Sequence, residues 1–241
     1  WTEEDKMEKI HAFRMRMINS AMFDNRFIDA AILYRDSVER GAVPTLKSKG
    51  INAILKIDSG TNELGLLKDF DIDEMIQYAV KHDCYGTKMR SIISDVSMID
   101  KVLIQQFKLA EKIYKNNLMP IVEPEIDIHN PNKATIEDIL VKSLTTYCQR
   151  MKGKCILKLT LPDLPNTYLP LLKIHSVQRL VGLSGGYTTK QACERLSLNK
   201  NMEASFSRAL SEGLYYTDPD PFFETAIASN ISNIVEGSKA G

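Results

Sequence analysis

Three lysines stand inside short apolar runs: Lys56 in Leu55-Lys56-Ile57, Lys88 in Thr87-Lys88-Met89 and Lys158 in Leu157-Lys158-Leu159. Taking an unpaired ammonium out of water costs several kcal/mol, so each must reach solvent, a carboxylate or a ligand. Lys158 is followed by Thr160, Leu161 and Pro162, so the chain turns straight after it, at the rim of whatever sheet it belongs to. A lysine that is partly desolvated, or that sits beside another cation, has a lowered pKa and can attack a carbonyl as a neutral amine. Lys88 is a candidate for that second cation. For any one of these lysines the simpler account is a solvated head on a stem that covers apolar surface. Three of them on neighbouring strands beside two glutamates favour chemistry.

The glutamates are Glu123 and Glu125 in Ile121-Val122-Glu123-Pro124-Glu125. In a strand, residues two apart share a face, so both carboxylates point the same way. Neighbouring carboxylates push their pKa values apart and a nearby lysine pulls one back, which supplies an acid and a base. Two rim glutamates in salt bridges to Lys88 and Lys158 would read the same way in the resting state. Pro124 lacks a ladder donor, so regular pairing is expected to end there. Further along, Leu183-Ser184-Gly185-Gly186 precedes a helix that Thr188 or Thr189 can cap, and successive glycines let backbone N–H groups point at an anion. By itself this is an ordinary turn. Ser205-Phe206-Ser207-Arg208 adds hydroxyls and a guanidinium, and together the two segments point to a phosphate.

Polar groups so far apart need an architecture that brings them together. Apolar runs too short for helices alternate with helical-period segments, which predicts βα units around a parallel sheet. The expected strands are 28–34, 51–58, 85–90, 119–125, 155–159, 177–184 and 203–207, seven in all. The expected helices are 2–20, 72–82, 98–117, 135–151, 169–173, 189–196 and 221–236. In the third, Ile99, Leu103, Phe107, Ala110 and Tyr114 fall on one arc. Thr135 with Asp138 reads as a capping box, and Asn117 before Pro120 as a stop. Lys56, Lys88, Glu123 and Lys158 recur once per βα unit, and in a β/α barrel such positions converge at the C-terminal ends of the strands, with the usual phosphate site after the last two.

Composition narrows the partners. With 31 basic and 31 acidic residues in 241 the formal net charge is zero, which speaks against a nucleic acid or an anionic membrane as the main partner. The four cysteines show no CxxC pairing and read as reduced thiols in an intracellular protein. No apolar run approaches a membrane span. His11, His82, His129 and His175 have no metal-ligand spacing, so no metal site is expected. The ten methionines read as core filler.

Gly86-Thr87-Lys88-Met89-Arg90, Ile121-Val122-Glu123-Pro124-Glu125, Leu157-Lys158, Leu183-Ser184-Gly185-Gly186 and Ser205-Phe206-Ser207-Arg208-Ala209-Leu210 follow one another in an order that resembles class I, lysine Schiff-base fructose-bisphosphate aldolases, in the shorter bacterial form. The resemblance spans essentially the whole chain. It implies a TIM (β/α)8 barrel and metal-independent, cofactor-free aldol cleavage of fructose 1,6-bisphosphate in a cytoplasmic enzyme. Lys158 would be the Schiff-base lysine and Glu123 the acid/base, with Glu125 and Lys88 as electrostatic partners. Ser184, Gly185, Gly186, Ser205 and Arg208 would hold one phosphate, and Lys56 and Arg90 would face the other. The partner is a phosphosugar, with a homo-oligomer left open. Ser207 departs from the muscle-type pattern, which has glycine there. The family's first strand, with its catalytic aspartate, has no counterpart, and the sequence starts at Trp1 without an initiator Met. A single barrel domain over 1–241 is therefore expected to be incomplete at its N-terminus. Two rivals remain, another lysine-imine barrel such as a transaldolase-like enzyme, and a catalytically impaired scaffold.

Overall fold

A computed structural model describes residues 2–241. Seven parallel strands form one sheet in chain order: β1 (Ala30–Leu33), β2 (Asn52–Lys56), β3 (Gly86–Ile92), β4 (Met119–Glu125), β5 (Cys155–Thr160), β6 (Val177–Leu183) and β7 (Glu203–Ala204). α1 (Glu3–Asn19) precedes β1 and α8 (Asp220–Ala240) follows β7; between successive strands lie α2 (Arg35–Glu39), α3 (Ala42–Ser48), α4 (Ile72–Lys81), α5 (Ile99–Lys115), α6 (Lys133–Arg150), a short 3-10 helix (Leu169–Lys173) and α7 (Thr189–Ser197). The sheet curls as part of a β/α barrel with the helices outside, and Arg179 on β6 reaches Asp29 ahead of β1 at 2.6 Å and Glu203 on β7 at 2.8 Å. This is the α/β architecture expected from the alternation of runs and periods.

Two layers of core follow from the two faces of the sheet. Outside, the arc of α5 packs Ile99, Leu103, Phe107 and Ala110 into one cluster with Val122, Leu157 and Leu159, and β2 residues Ala53 and Leu55 join a second with Ile76 and Ala79 of α4. Inside, Ile54, Ile121, Ile156 and Val181 form a small apolar floor, with Ile32 and Met119 against it. Those interior positions set the phase: two residues further along each strand come Lys56, Glu123, Lys158 and Leu183. Lys56 and Lys158, which break their apolar runs, are thus interior positions above an apolar floor.

Several boundaries differ from expectation. α6 begins at Lys133 rather than Thr135, and no capping box forms there: Asp138 instead accepts from Lys142 at 2.6 Å. β7 is only Glu203–Ala204, so Ser205 to Ser207 lie in the following turn. The sequence pattern does not predict α2 and α3, which are too short to show a period around the left-handed Gly41. Pairing does not end at Pro124 on both sides. Odd-numbered residues of β4 bond towards β3, as in Met119 N–H to Tyr85 and Ile93 N–H to the Glu125 carbonyl, and this ladder runs through to Glu125. Even-numbered residues face β5, where pairing stops at Val122. The proline interrupts one edge only, and there the Thr160 hydroxyl takes over, donating to the Ile126 carbonyl and accepting from the Ile126 N–H, both at 2.9 Å.

The turn after β5 rests on a buried charge cluster. Lys133 Nζ donates to Glu137 at 2.5 Å, to the Leu161 carbonyl at 2.9 Å and to Asp163 at 2.9 Å, while Glu137 accepts from the Asp163 N–H at 3.0 Å. Burial raises the Glu137 pKa against the pull of the Asp163 N–H and of Lys133.

Candidate active site

Glu123 is the hub. Its Oε1 lies 3.3 Å from Lys158 Nζ and its Oε2 lies 2.9 Å from Lys88 Nζ, and the three side chains are 4%, 10% and 8% exposed. One carboxylate on β4 is thus shared by ammoniums from β3 and β5. The Lys88 contact is an ion pair by distance, but its angle is not that of a hydrogen bond, so Oε2 keeps room for another donor. The register explains the meeting: Arg90 stands beside Glu123 across β3–β4, and Lys158 follows Leu157, the partner of Val122, by one residue.

Burial is the largest influence on Lys158 and lowers its pKa below the ordinary lysine value. Glu123 works against that shift, Lys88 adds to it, and Glu125 opposes it weakly. A site that must present a neutral amine near neutral pH needs this sign. Glu125 does not share the two lysines: it takes the Arg90 guanidinium in a short salt bridge. The Arg90 expected at a phosphate is thus paired with a carboxylate.

Lys56 is likewise held. Its Nζ donates to Asp58 Oδ1 at 2.8 Å and to the Asp58 carbonyl at 2.7 Å. Asp58 also accepts from the Gly60 N–H at 3.0 Å and the Arg90 N–H at 3.2 Å. Burial pushes the Asp58 carboxyl up, but Lys56, Lys88 and the Arg90 N–H outweigh it, and the net shift is downward. The sequence pattern alone does not single out Asp58, although the same-face spacing of Glu123 and Glu125 fits Lys56 and Asp58 equally well.

The second group of candidates gathers beyond β6 and β7. Gly185 and Gly186 have φ of 57° and 103°, left-handed values that suit glycine. A Cβ on Gly185 would stand 3.0 Å from Ile128 and 4.0 Å from Thr160, and one on Gly186 would stand 3.8 Å from Arg208 Nη1. The glycine turn therefore lies against the ends of β4 and β5 on one side and the Arg208 guanidinium on the other. Ser184 is buried at the start of the turn, and the half-buried Ser205 donates its N–H to the Gly182 carbonyl at 2.9 Å. Thr188, not Thr189, caps α7, in a capping box with Gln191. Among the described residues no three His, Cys, Asp or Glu side chains group as a metal site would need, and no helix is long and apolar enough to cross a membrane.

A parallel β/α barrel sheet with ionisable side chains gathered over an apolar floor at its strand C-termini is the layout of a β/α-barrel enzyme. Comparison with known proteins makes the class specific. The chain is 37% identical to the class 1 fructose-bisphosphate aldolase of Clostridium acetobutylicum over 251 residues, covering 98% of this chain and 85% of that one. It is 36% identical to that of Porphyromonas gingivalis with the same coverage, and 38% identical to that of Synechocystis over 244 residues, covering 95% and 81%. The chain belongs to the class 1 fructose-bisphosphate aldolase family and is, like its relatives, a lyase.

Solved structures agree on the fold. A fructose-bisphosphate aldolase from Plasmodium falciparum superposes with a TM-score of 0.78 at 17% identity, covering 97% of this chain and 83% of that one. An archaeal fructose 1,6-bisphosphate aldolase gives 0.58 at 12% identity, covering 92% and 82%. An archaeal aldolase with its catalytic lysine bound to a carbinolamine gives 0.56 at 12% identity, covering 93% and 84%. No protein-family model matches the chain.

Proposed function

We propose that the chain catalyses the reversible cleavage of fructose 1,6-bisphosphate to dihydroxyacetone phosphate and glyceraldehyde 3-phosphate through an imine on Lys158. The observation that carries this reading is the buried Lys158 ammonium in contact with Glu123, in a chain of this family. The Lys158 amine adds to the C2 ketone, forming the C–N bond, and the ketone oxygen takes up a proton to give a carbinolamine. Glu123 protonates the departing hydroxyl, water leaves and a protonated imine remains. That imine is an electron sink: the C4 hydroxyl proton is removed, C3–C4 breaks, and the bonding pair flows into an enamine as glyceraldehyde 3-phosphate departs. Reprotonation at C3 and hydrolysis release dihydroxyacetone phosphate and free Lys158. The imine does the electron withdrawal, so a chelator should leave the rate unchanged.

Ser184, the glycine turn, Ser205 and Arg208 are read as the grip on the C1 phosphate, with Lys56 and Arg90 facing the C6 phosphate. In this reading substrate phosphate draws Lys56 and Arg90 from their resident carboxylates, Asp58 and Glu125. The resemblance also expects an aspartate near the imine from a further strand, and the seven strands of the described residues carry no counterpart to it. A cytoplasmic setting, where glycolysis runs, suits the four free thiols. The direct test is to incubate the protein with fructose 1,6-bisphosphate and follow the two trioses. Their absence with correctly folded protein would leave imine chemistry without cleavage.

Two substitutions test the assignments. Arg208→Ala should lower kcat/KM for fructose 1,6-bisphosphate roughly 10- to 150-fold, the equivalent of a charge-assisted hydrogen bond, while leaving Lys158 able to form an imine with unphosphorylated dihydroxyacetone. Equal losses towards both ketones would count against a phosphate role. Lys88→Met removes a like charge and should raise the pKa of Lys158, moving the acidic limb of the pH–rate profile upward. Burial is the larger influence, so the limb should move without leaving Lys158 at an ordinary lysine value. A limb that stays put would mean burial alone sets the nucleophile.

A further inference from the structure

The loop that carries Arg208 is fastened from two helices. From α7, the buried Thr189 hydroxyl donates to the Ala209 carbonyl at 2.8 Å, and the Thr189 N–H donates to Glu212 Oε2 at 2.5 Å. From α8, Asn230 Nδ2 donates to the carbonyls of Leu210 and Glu212, both at 2.9 Å. Thr189 is the first residue of α7 and follows the glycine turn by only Tyr187 and Thr188. Because Thr188 already serves as the cap, the Thr189 hydroxyl is left for the neighbouring loop. Ala209, its acceptor, is buried and adjoins Arg208. The Glu212 carboxylate has a second consequence: it occupies the first N–H of α7, so a substrate anion is left with the N–H groups ahead of the helix, in the turn that Arg208 Nη1 already abuts.

We propose that Thr189 is a positioning residue for Arg208, its hydroxyl pinning the arginine loop to the helix behind the glycine turn so that turn and guanidinium address one phosphate together. This rests on the reading of Arg208 as a phosphate ligand. The hydroxyl touches no substrate and acts only through the loop. Loss of one neutral buried hydrogen bond corresponds to roughly a fivefold change in an equilibrium, and here it should fall on phosphate binding rather than on imine chemistry.

The experiment compares Thr189→Val, Thr189→Ser, Arg208→Ala and the Arg208→Ala/Thr189→Val double variant. For each, kcat and KM with fructose 1,6-bisphosphate are measured beside the rate of borohydride inactivation with dihydroxyacetone. Thr189→Val is expected to raise KM roughly fivefold with kcat and the dihydroxyacetone reaction unchanged, Thr189→Ser to restore KM, and the double variant to match Arg208→Ala. Glu212→Ala removes the loop's other tether to α7 and should give the same selective rise, which keeps the test available if Thr189→Val does not fold. Equal losses towards both ketones, or a further full loss in the Arg208→Ala background, would overturn the proposal. If Arg208→Ala itself showed no phosphate selectivity, the ligand assignment would fall and the latch with it. If Arg208→Ala were selective and neither tether variant were, only the latch would fall.

Discussion

Glu123→Gln is expected to lower kcat by roughly 10²- to 10⁴-fold, the range for removing a positioned acid/base. Glutamine keeps the volume between Lys88 and Lys158 but can neither donate the proton that expels water nor balance two ammoniums. Imine formation should slow with it, because carbinolamine dehydration is the step Glu123 is placed to serve. A pH-dependent stability effect should accompany the kinetic one. Lys158 has a folded-state pKa below its unfolded value, so the unfolded chain binds more protons between the two. Stability therefore rises with pH across that window, and the penalty for burying the charged amine is complete below the folded pKa. Removing Glu123, which pulls that pKa up, deepens the penalty. The variant should lose most stability relative to the parent at the acidic end and least near the ordinary lysine pKa. A kcat within a few fold of the parent, or a stability gap independent of pH, would remove Glu123 from its proposed role.

Lys133→Met is expected to cost about 3–5 kcal/mol of folding stability, as for a buried pair that loses one partner. For a chain of this size that is roughly 6–20 °C in the unfolding midpoint. The methionine leaves Glu137, 3% exposed, without its nearest cation and the Leu161 carbonyl without its donor. The variant Lys133→Met/Glu137→Leu, which removes the unpaired buried carboxylate as well, should recover part of the loss, because the Leu161 carbonyl and the Asp163 N–H still lack their partners. Thermal unfolding of the single and double variants decides this. A single variant within about 1 kcal/mol of the parent would mean that Asp163 and solvent already satisfy Glu137. The cluster underlies the turn after β5, three to five residues beyond Lys158, so the single variant should also blunt the nucleophile's placement.

The sequence carried the site where charge contradicted pattern. Lys56, Lys88 and Lys158 broke apolar runs that otherwise described buried strands, and their two-residue phase with Ile54 and Ile156 is what places two of them above the interior floor. All seven strands were legible because parallel strands covered on both faces are continuous apolar runs. What stayed illegible depended on tertiary partners. Asp58 sits at a strand end where aspartate is unremarkable, and only the Lys56 and Arg90 contacts give it meaning. The true start of α6 was hidden because Lys133 looks like a solvated residue until Glu137 and Asp163 close over it. Thr189 and Thr188 could not be told apart as caps, since the choice lies in which hydroxyl turns to Gln191 and which to Ala209.

The central claim is that Lys158 is the nucleophile, and borohydride reduction in the presence of dihydroxyacetone phosphate, followed by peptide mass mapping, tests it most directly. A single triose adduct is predicted on the peptide containing Lys158, formed in parallel with loss of cleavage activity and absent from Lys158→Met. An adduct on Lys88 or Lys56, or inactivation that leaves Lys158 unlabelled, would contradict the account.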